Sequence, residues 1–188
     1  MPCGFAEAQD VLVFWFRPQA RQKWFSSDRD FDLDITVRFS GLVESAARGE
    51  CDGWLESPRT ALALVILLDQ FPRNIHRGTA KAFAQDEHAR TITGGAIERG
   101  HDMKLSEIER RWFYMPLMHS ENIADQRLSL RYFGERLSEK EGKTYAREHH
   151  DVIARFARFP HRNAILLREN TPAETEYLKS SGGWGQKP

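Results

Sequence analysis

A polar motif that occurs twice in the chain has the residue types needed to bind an anion. The first copy is Phe71-Pro72-Arg73-Asn74, and the second is Phe159-Pro160-His161-Arg162-Asn163. Each copy continues with an aliphatic residue, a further arginine and a threonine. Arginine binds carboxylates and phosphates through paired hydrogen bonds, and an asparagine amide can both donate and accept. The predicted clamping residues are Arg73, Arg162 and Arg168, and the predicted orienting residues are Asn74 and Asn163.

An acidic residue lies two positions before the first copy. Asp69 ends the apolar helix face formed by Leu62, Val65 and Ile66, so its carboxylate is predicted to point inward. A buried carboxylate without a partner would cost about 3 to 5 kcal/mol, and the following turn offers Arg73 and Arg77 as partners. The pattern predicts a buried ion pair, which is either purely structural or one wall of a binding site.

The segment around the second copy is basic. Residues 152–168 have no acidic residue and contain Arg155, Arg158, His161, Arg162 and Arg168. Two sources of negative charge are available for these side chains. The first is internal, because Glu121 and Asp125 lie four residues apart on one predicted helix face and Asp151 lies nearby. The second is a bound carboxylate or phosphate, and the two sources are compatible with each other.

Three histidines are candidates for proton transfer. His119 or His161 could act as a general base beside Glu121 or Asp69. His149 lies on an apolar helical stripe and is predicted to be buried, where a histidine is more often a core residue than a catalyst.

Other catalytic centres lack their sequence signatures. The chain has no Glu-x-x-His pair of the kind that diiron bundles use and no His-Glu-x-x-His zinc helix, and the neighbouring arginines would repel a metal ion. No nucleophile elbow, phosphate loop or dinucleotide fingerprint is present, and Ser120 is interpreted as a helix cap. The sequence therefore predicts neither a metal nor another cofactor.

Helical spacing dominates the chain that must position these residues. Apolar residues recur every three or four positions at Phe31, Ile35, Phe39, Leu42 and Ala46, and Gly49 ends that helix. Ser57-Pro58 predicts the start of the next helix, which Pro72 is predicted to end at Phe71. Because this helix is apolar almost all round, it is predicted to be central.

Cap residues predict further helices. Ser106 with Glu109 and Thr171 with Glu174 both fit the capping box. A helix is predicted from Ser120 to about residue 139, another over residues 143–159, and two short helices or one kinked helix over residues 79–99. Since no segment alternates as a strand does, the predicted fold is all-α, a compact stack of seven to nine helices in antiparallel pairs.

Composition limits the partners and the location. The 188 residues include 27 basic and 27 acidic ones, so no global field favours a nucleic acid or an anionic membrane. Cys3 and Cys51 are predicted to be reduced, and no apolar run is long enough to span a bilayer, which favours the cytoplasm. Residues 1–179 are predicted to form one domain and residues 180–188 a flexible tail.

Several strings of the chain resemble one bacterial family. They include Val11-Leu12-Val13-Phe14-Trp15-Phe16, Leu67-Leu68-Asp69-Gln70-Phe71-Pro72-Arg73-Asn74, Pro116-Leu117-Met118-His119-Ser120-Glu121 and Arg158-Phe159-Pro160-His161-Arg162-Asn163. In this order they resemble domain-of-unknown-function family 924, from Val11 to about Leu178. The resemblance implies a tetratricopeptide-like helical fold and no established activity. The family pattern usually has a glycine at the positions of Ala157 and Leu167.

Three functions are compatible with these observations. The first is a pocket for a small anionic ligand or a carboxylate, in which Asp69, Arg73, Asn74, Asp125, His149, Arg158, Arg162, Asn163 and Arg168 are candidate binding residues. The second is a tetratricopeptide-like module that binds a peptide. The third is a hydrolase-type enzyme with His119, Glu121 and His161 as candidate catalytic residues. The concave polar character of the predicted site favours the first, and the sequence predicts no oligomeric state.

Overall fold

The structure is a computed structural model that describes residues 3–180. Within that range the chain is all-α and has no β-strand, which confirms the predicted fold class. The α-helices are α1 (Phe5–Phe16), α2 (Pro18–Arg21), α3 (Arg29–Ala47), α4 (Pro58–Val65), α5 (Phe71–Ile75), α6 (Asp86–Glu98), α7 (Glu107–Met118), α8 (Ile123–Arg136), α9 (Lys140–Phe156) and α10 (Pro172–Ser180). Short 3-10 turns occupy Asp52–Glu56, Ala80–Phe83, Asp102–Lys104 and Pro160–Arg162.

The helix at the centre of the fold is α4. Its residues from Ala61 onward are fully buried, as its apolar sequence predicts, and it packs against α1, α6 and α7. Aromatic rings fill the space around it. The indole of Trp15 lies 5.0 Å from that of Trp112 and 5.7 Å from the ring of Phe71, both in edge-to-face contact, which is a favoured geometry for aromatic pairs.

The prediction that this helix stops before Pro72 is wrong. A π-helical turn, Ile66–Gln70, joins α4 to α5, and the N–H of Phe71 donates to the carbonyl of Ile66, five residues earlier. The helix in effect starts again after the π turn. Pro72 then lies in the first turn of α5, where its missing N–H is tolerated. Counting α4 and α5 as one continuous helix leaves nine helices in residues 3–180, within the predicted number.

Some of the predicted helix caps are present in the structure and one is not. Both capping boxes are present at the starts of α7 and α10, as predicted. The cap of α8 is Asn122, whose side-chain oxygen accepts from the N–H of Ala124, so the prediction of Ser120 as the cap is wrong. Residues 79–99 form a 3-10 turn followed by α6, which continues through both glycines.

Helix α9 ends three residues earlier than predicted, and the backbone explains why. Ala157 has φ of 57°, in the left-handed region that terminates helices and favours glycine. Leu167 has φ of 55°. These are the two positions at which the family pattern usually has a glycine.

The prediction that the cysteines are reduced is also wrong. Cys3 and Cys51 form a disulfide, with their Cα atoms 5.1 Å apart. The two residues are 48 positions apart, and only the folded arrangement brings the start of α1 to the end of α3. Disulfides are typical of oxidising compartments, so the cysteines do not support the predicted cytoplasmic location.

No helix between residues 3 and 180 combines the length and the apolar character that a bilayer span requires. Of the predicted flexible tail, Ser180 is the last residue of α10, and residues 181–188 lie outside the described part of the chain.

Candidate functional site

A buried carboxylate and a histidine form the centre of the candidate site. Asp69 lies in the π turn and is completely buried, and His119 directly follows the last residue of α7. Nδ1 of His119 lies 2.8 Å from Oδ1 of Asp69. The amide of Gln70, the next residue of the π turn, donates to Oδ2. Both carboxylate oxygens of Asp69 therefore have partners.

The arginine of the first motif copy holds Asp69. Nη1 of Arg73 donates to the Asp69 carbonyl at 2.6 Å and lies 3.3 Å from Oδ1 of its carboxylate. Burial alone would raise the pKa of Asp69, but the charge of Arg73 and the contacts with His119 and Gln70 outweigh it and lower that pKa to about 2. Asp69 is therefore ionised at neutral pH, and the predicted pairing with Arg73 is confirmed.

The arginine of the second copy holds His119. Nη2 of Arg162 donates to the His119 carbonyl at 2.9 Å. Its Nη1 lies 3.3 Å from Oδ2 of Asp86, the first residue of α6. Burial lowers the pKa of Arg162 to about 10, although Asp86 acts in the opposite direction.

The two motif copies meet at Asp86. Nη2 of Arg73 lies 2.9 Å from Oδ1 of Asp86, so one carboxylate pairs with the arginines of both copies. The two guanidinium groups also lie over the ring of Phe83, at 5.7 Å for Arg73 and 4.5 Å for Arg162. The two copies therefore converge in the fold. Sequence reasoning missed Asp86, because an acid in the first turn of a helix is expected there for the helix dipole alone.

A cavity of about 250 Å³ opens beside the Asp69–His119 pair. It is lined by Trp24, Phe25, Ser26, Gln70, Arg73, Asn74, Arg77, Arg111, Met115, Met118, His119, Gly142, Tyr145 and His149. Three of these residues are arginines and none is acidic. The lining therefore combines positive charge with apolar and aromatic surface, which is the usual composition of a small-molecule site.

Two cavity residues of the first copy are held by α3. Nδ2 of Asn74 donates to Oδ1 of Asp32 at 2.8 Å, and Nε of Arg77 donates to Oδ2 at 2.7 Å. The prediction that Arg77 neutralises Asp69 is therefore wrong. Arg77 lies beyond the end of α5, where the chain turns towards α3.

Arg111 is a cavity residue that the sequence analysis did not identify. Only 11% of its side chain is exposed, and its Nη1 donates to Glu139 at 3.0 Å. Its guanidinium carbon lies 5.3 Å from the ring centre of Phe25. The spacing could have identified it, because Arg111, Met115 and His119 are four residues apart and lie on one side of α7 and its C-cap.

His149 confirms the prediction that it is buried, and it lines the cavity. Its Nδ1–H donates to the carbonyl of Tyr145 at 2.8 Å, and its ring centre lies 6.4 Å from that of His119. Burial, with the neighbouring His119, lowers the pKa of His149 to about 3. The imidazole is neutral at pH 7.

The remaining predicted residues support the second copy and do not line the cavity. Arg168 binds both oxygens of Glu121 at 2.7 and 2.9 Å, and Glu121 accepts the N–H of Phe159 at 2.7 Å. Arg158 pairs with Glu174 at 2.6 Å, and Asn163 donates to Asn170 at 2.7 Å.

Three further residues of the sequence analysis, Asp125, Asp151 and His161, do not line the cavity. Asp125 accepts from Ser120 at 2.6 Å and pairs with Arg90 at 3.3 Å, so it is not a partner of the second copy's arginines. Asp151 is exposed beside His150. Burial and the adjacent Arg162 lower the pKa of His161 to about 3, and its ring packs 5.4 Å from that of Phe159.

Metal-ligating side chains do not cluster in the part of the chain that the structure describes. No group of three or more His, Cys, Asp or Glu side chains there could hold an ion.

Comparisons with known proteins identify relatives of unknown function. The model of a family described as bacterial protein of unknown function (DUF924) matches residues 11–182. A solved structure, that of the protein of unknown function ATU0120 from Agrobacterium tumefaciens, is similar with 45% sequence identity and a TM-score of 0.89. The similarity covers 94% of this chain and 98% of that one. No curated protein matches the chain.

Proposed function

This chain belongs to the DUF924 family of bacterial proteins of unknown function, and we propose that it binds a small molecule carrying a carboxylate in the cavity beside His119. The proposal narrows the predicted anion site to the residues that line one cavity. Arg111, Arg77 and Asn74 bind the charged end of the ligand. Arg162, Asn163 and Arg168 take no direct part, because they lie outside the lining.

The environment of Arg111 is the observation that carries the proposal. Burial lowers the pKa of this guanidinium, and the opposing effect of Glu139 and Glu141 does not compensate fully. Its Nε–H is buried and has no hydrogen-bond acceptor among the described residues. A buried donor without a partner costs about 1 to 3 kcal/mol, and more when it is charged. A bound carboxylate would add a hydrogen-bond acceptor and a second negative charge to that of Glu139.

The rest of the lining suggests the shape of the ligand. Met115 and Met118 provide an adaptable apolar surface, and Trp24, Phe25 and Tyr145 provide flat aromatic ones. A ligand with an anionic group at one end and a short aliphatic or aromatic body matches this division.

Calorimetric titration with glutarate, phenylacetate and their neutral amides tests the proposal. We expect at least one carboxylate to bind and its amide to fail. Arg111→Met should weaken that binding by about 10- to 150-fold, the range for a hydrogen bond to a charged group. Arg131→Met is the matched control, because Arg131 is an exposed arginine paired with Glu135 on α8. Equal binding by Arg111→Met and the wild type, or binding by neither, would contradict the proposal.

A further inference from the structure

The Asp69–His119 pair has the arrangement of a general base and the residue that orients it. Because Oδ1 of the ionised Asp69 accepts from Nδ1 of His119, that nitrogen carries the proton. Nε2 at the other edge of the ring then has the lone pair that can accept a proton. His119 lines the cavity, and 13% of its side chain is exposed.

The environment keeps His119 in its basic form. Burial lowers the pKa of the imidazole, and the nearby charge of Arg73 lowers it further, which outweighs the opposite effect of Asp69. The ring is therefore neutral at pH 7. A general base must be deprotonated at the working pH, and this one meets that condition.

Three features of the fold orient the pair. The π turn places Asp69 and Gln70 next to each other so that both reach the site, and π turns occur frequently at functional sites. Arg73 fixes the backbone and the carboxylate of Asp69. Arg162 fixes the carbonyl of His119. The first motif copy thus positions the acid, and the second positions the histidine.

We propose that the protein is a hydrolase of carboxylate-bearing esters, with His119 as the general base and Asp69 as its positioning residue. This inference rests on the proposed function, because the lining arginines must first bind the substrate carboxylate.

The reaction needs only water and the ester. The oxygen of a water molecule forms a bond to the ester carbonyl carbon while Nε2 of His119 takes one of its protons. The tetrahedral oxyanion then collapses and the bond to the alkoxy oxygen breaks. His119 returns the proton to that oxygen, so the products are a carboxylic acid and an alcohol, and the histidine ends as it began.

Two chromogenic esters with the same leaving group test the inference with the full chain. We expect para-nitrophenyl hemiglutarate, which carries a carboxylate, to be hydrolysed with at least about tenfold higher kcat/KM than neutral para-nitrophenyl butyrate. His119→Gln should lower kcat for the hemiester by about 100- to 10,000-fold with little change in KM. Asp69→Asn should also lower kcat without raising KM. His150→Gln, at a half-buried histidine on α9 that does not line the cavity, should keep the wild-type rate.

The controls separate this inference from the proposed function. Circular dichroism establishes that each variant is folded, and if Asp69→Asn unfolds, the partly exposed His119 still provides the test. Glutarate binding without hydrolysis of the hemiester above the His119→Gln rate would overturn the hydrolase and leave the binding function intact. Equal rates for the two esters would also overturn it. Absence of any carboxylate binding would overturn both proposals.

Discussion

The two copies of the Phe-Pro-Arg-Asn motif share a partner but differ in position. The first copy forms α5 directly after the π turn, and its Arg73 and Asn74 line the cavity. The second copy lies in a loop with a 3-10 turn, and its Arg162 contacts the back of the site through the His119 carbonyl and Asp86. The two copies thus share a partner in the structure, Asp86, but not a position in the site.

The backbone after the two copies is alike. Four residues after Asn74 the chain reaches Gly78 with φ of 76°, and four residues after Asn163 it reaches Leu167 with φ of 55°. Both copies therefore end in a left-handed turn, but only the first has the residue that adopts it without strain.

Among the substitutions that distinguish the two copies, removal of the Asp86 carboxylate should lower stability most. Asp86→Asn leaves the arginines of both copies buried without their common counter-charge, so we expect the free energy of unfolding to fall by about 3 to 5 kcal/mol. Urea denaturation followed by circular dichroism measures it. Asp151→Asn removes an exposed acid and should change stability by less than about 0.5 kcal/mol. A loss below about 1 kcal/mol for Asp86→Asn would show that the copies are not held together through it.

The inserted histidine of the second copy should make that copy sensitive to acid. The pKa of His161 is about 3 in the folded chain and its ordinary value is 6.5, so between these values the unfolded chain binds a proton that the folded chain does not. Stability should therefore decrease as the pH falls below 6.5, by about 1.4 kcal/mol per pH unit for this residue, or about 2 kcal/mol by pH 5.

Substitution of the histidine sharpens the test. His161→Gln should remove that contribution to the slope, measured as the urea midpoint between pH 7 and pH 5. The first copy has no residue between Pro72 and Arg73 that corresponds to His161, although burial also lowers the pKa of His76, two residues after that copy. An unchanged slope in His161→Gln would contradict the assignment of acid sensitivity to the second copy.

Substitutions at the two left-handed turns should change stability least. Leu167→Gly should stabilise the chain by about 1 kcal/mol, because a non-glycine residue with positive φ is strained and the Leu167 side chain, 94% exposed, loses little packing. Gly78→Ala should destabilise by a similar amount. For a chain of this size each kcal/mol corresponds to about 2–4 °C in Tm, measurable by differential scanning calorimetry. A lower Tm for Leu167→Gly would contradict the prediction.

The sequence predicted the fold better than it predicted the site. Helical periodicity and two capping boxes were sufficient for the all-α class, since those signals depend on neighbours within a few residues. Asp69 with Arg73 was likewise predictable, because the two lie one turn apart. Asp86 and Arg111 were not predicted, because their importance depends on contacts with residues distant along the chain. The disulfide between Cys3 and Cys51 was missed for the same reason.

The predictions of helix ends from proline and cap residues were wrong where the backbone departs from the regular α-helix. Pro72 predicted a helix end, yet the π turn lets the chain continue. Ser120 predicted a cap, yet its hydroxyl donates to Asp125 and the cap is Asn122. Sequence patterns describe regular helices, whereas the candidate site lies at a π turn and at helix ends that depart from them.

The π turn contains one residue more than the same length of regular α-helix. Each residue of an α-helix advances the side chains by about 100° around the axis. Deletion of one residue from Ile66–Gln70 would restore a regular helix and rotate α5 by that angle relative to α4. Without the extra residue, the side chains of α5 would face in different directions relative to α4, and Arg73 would lose its register with the second motif copy.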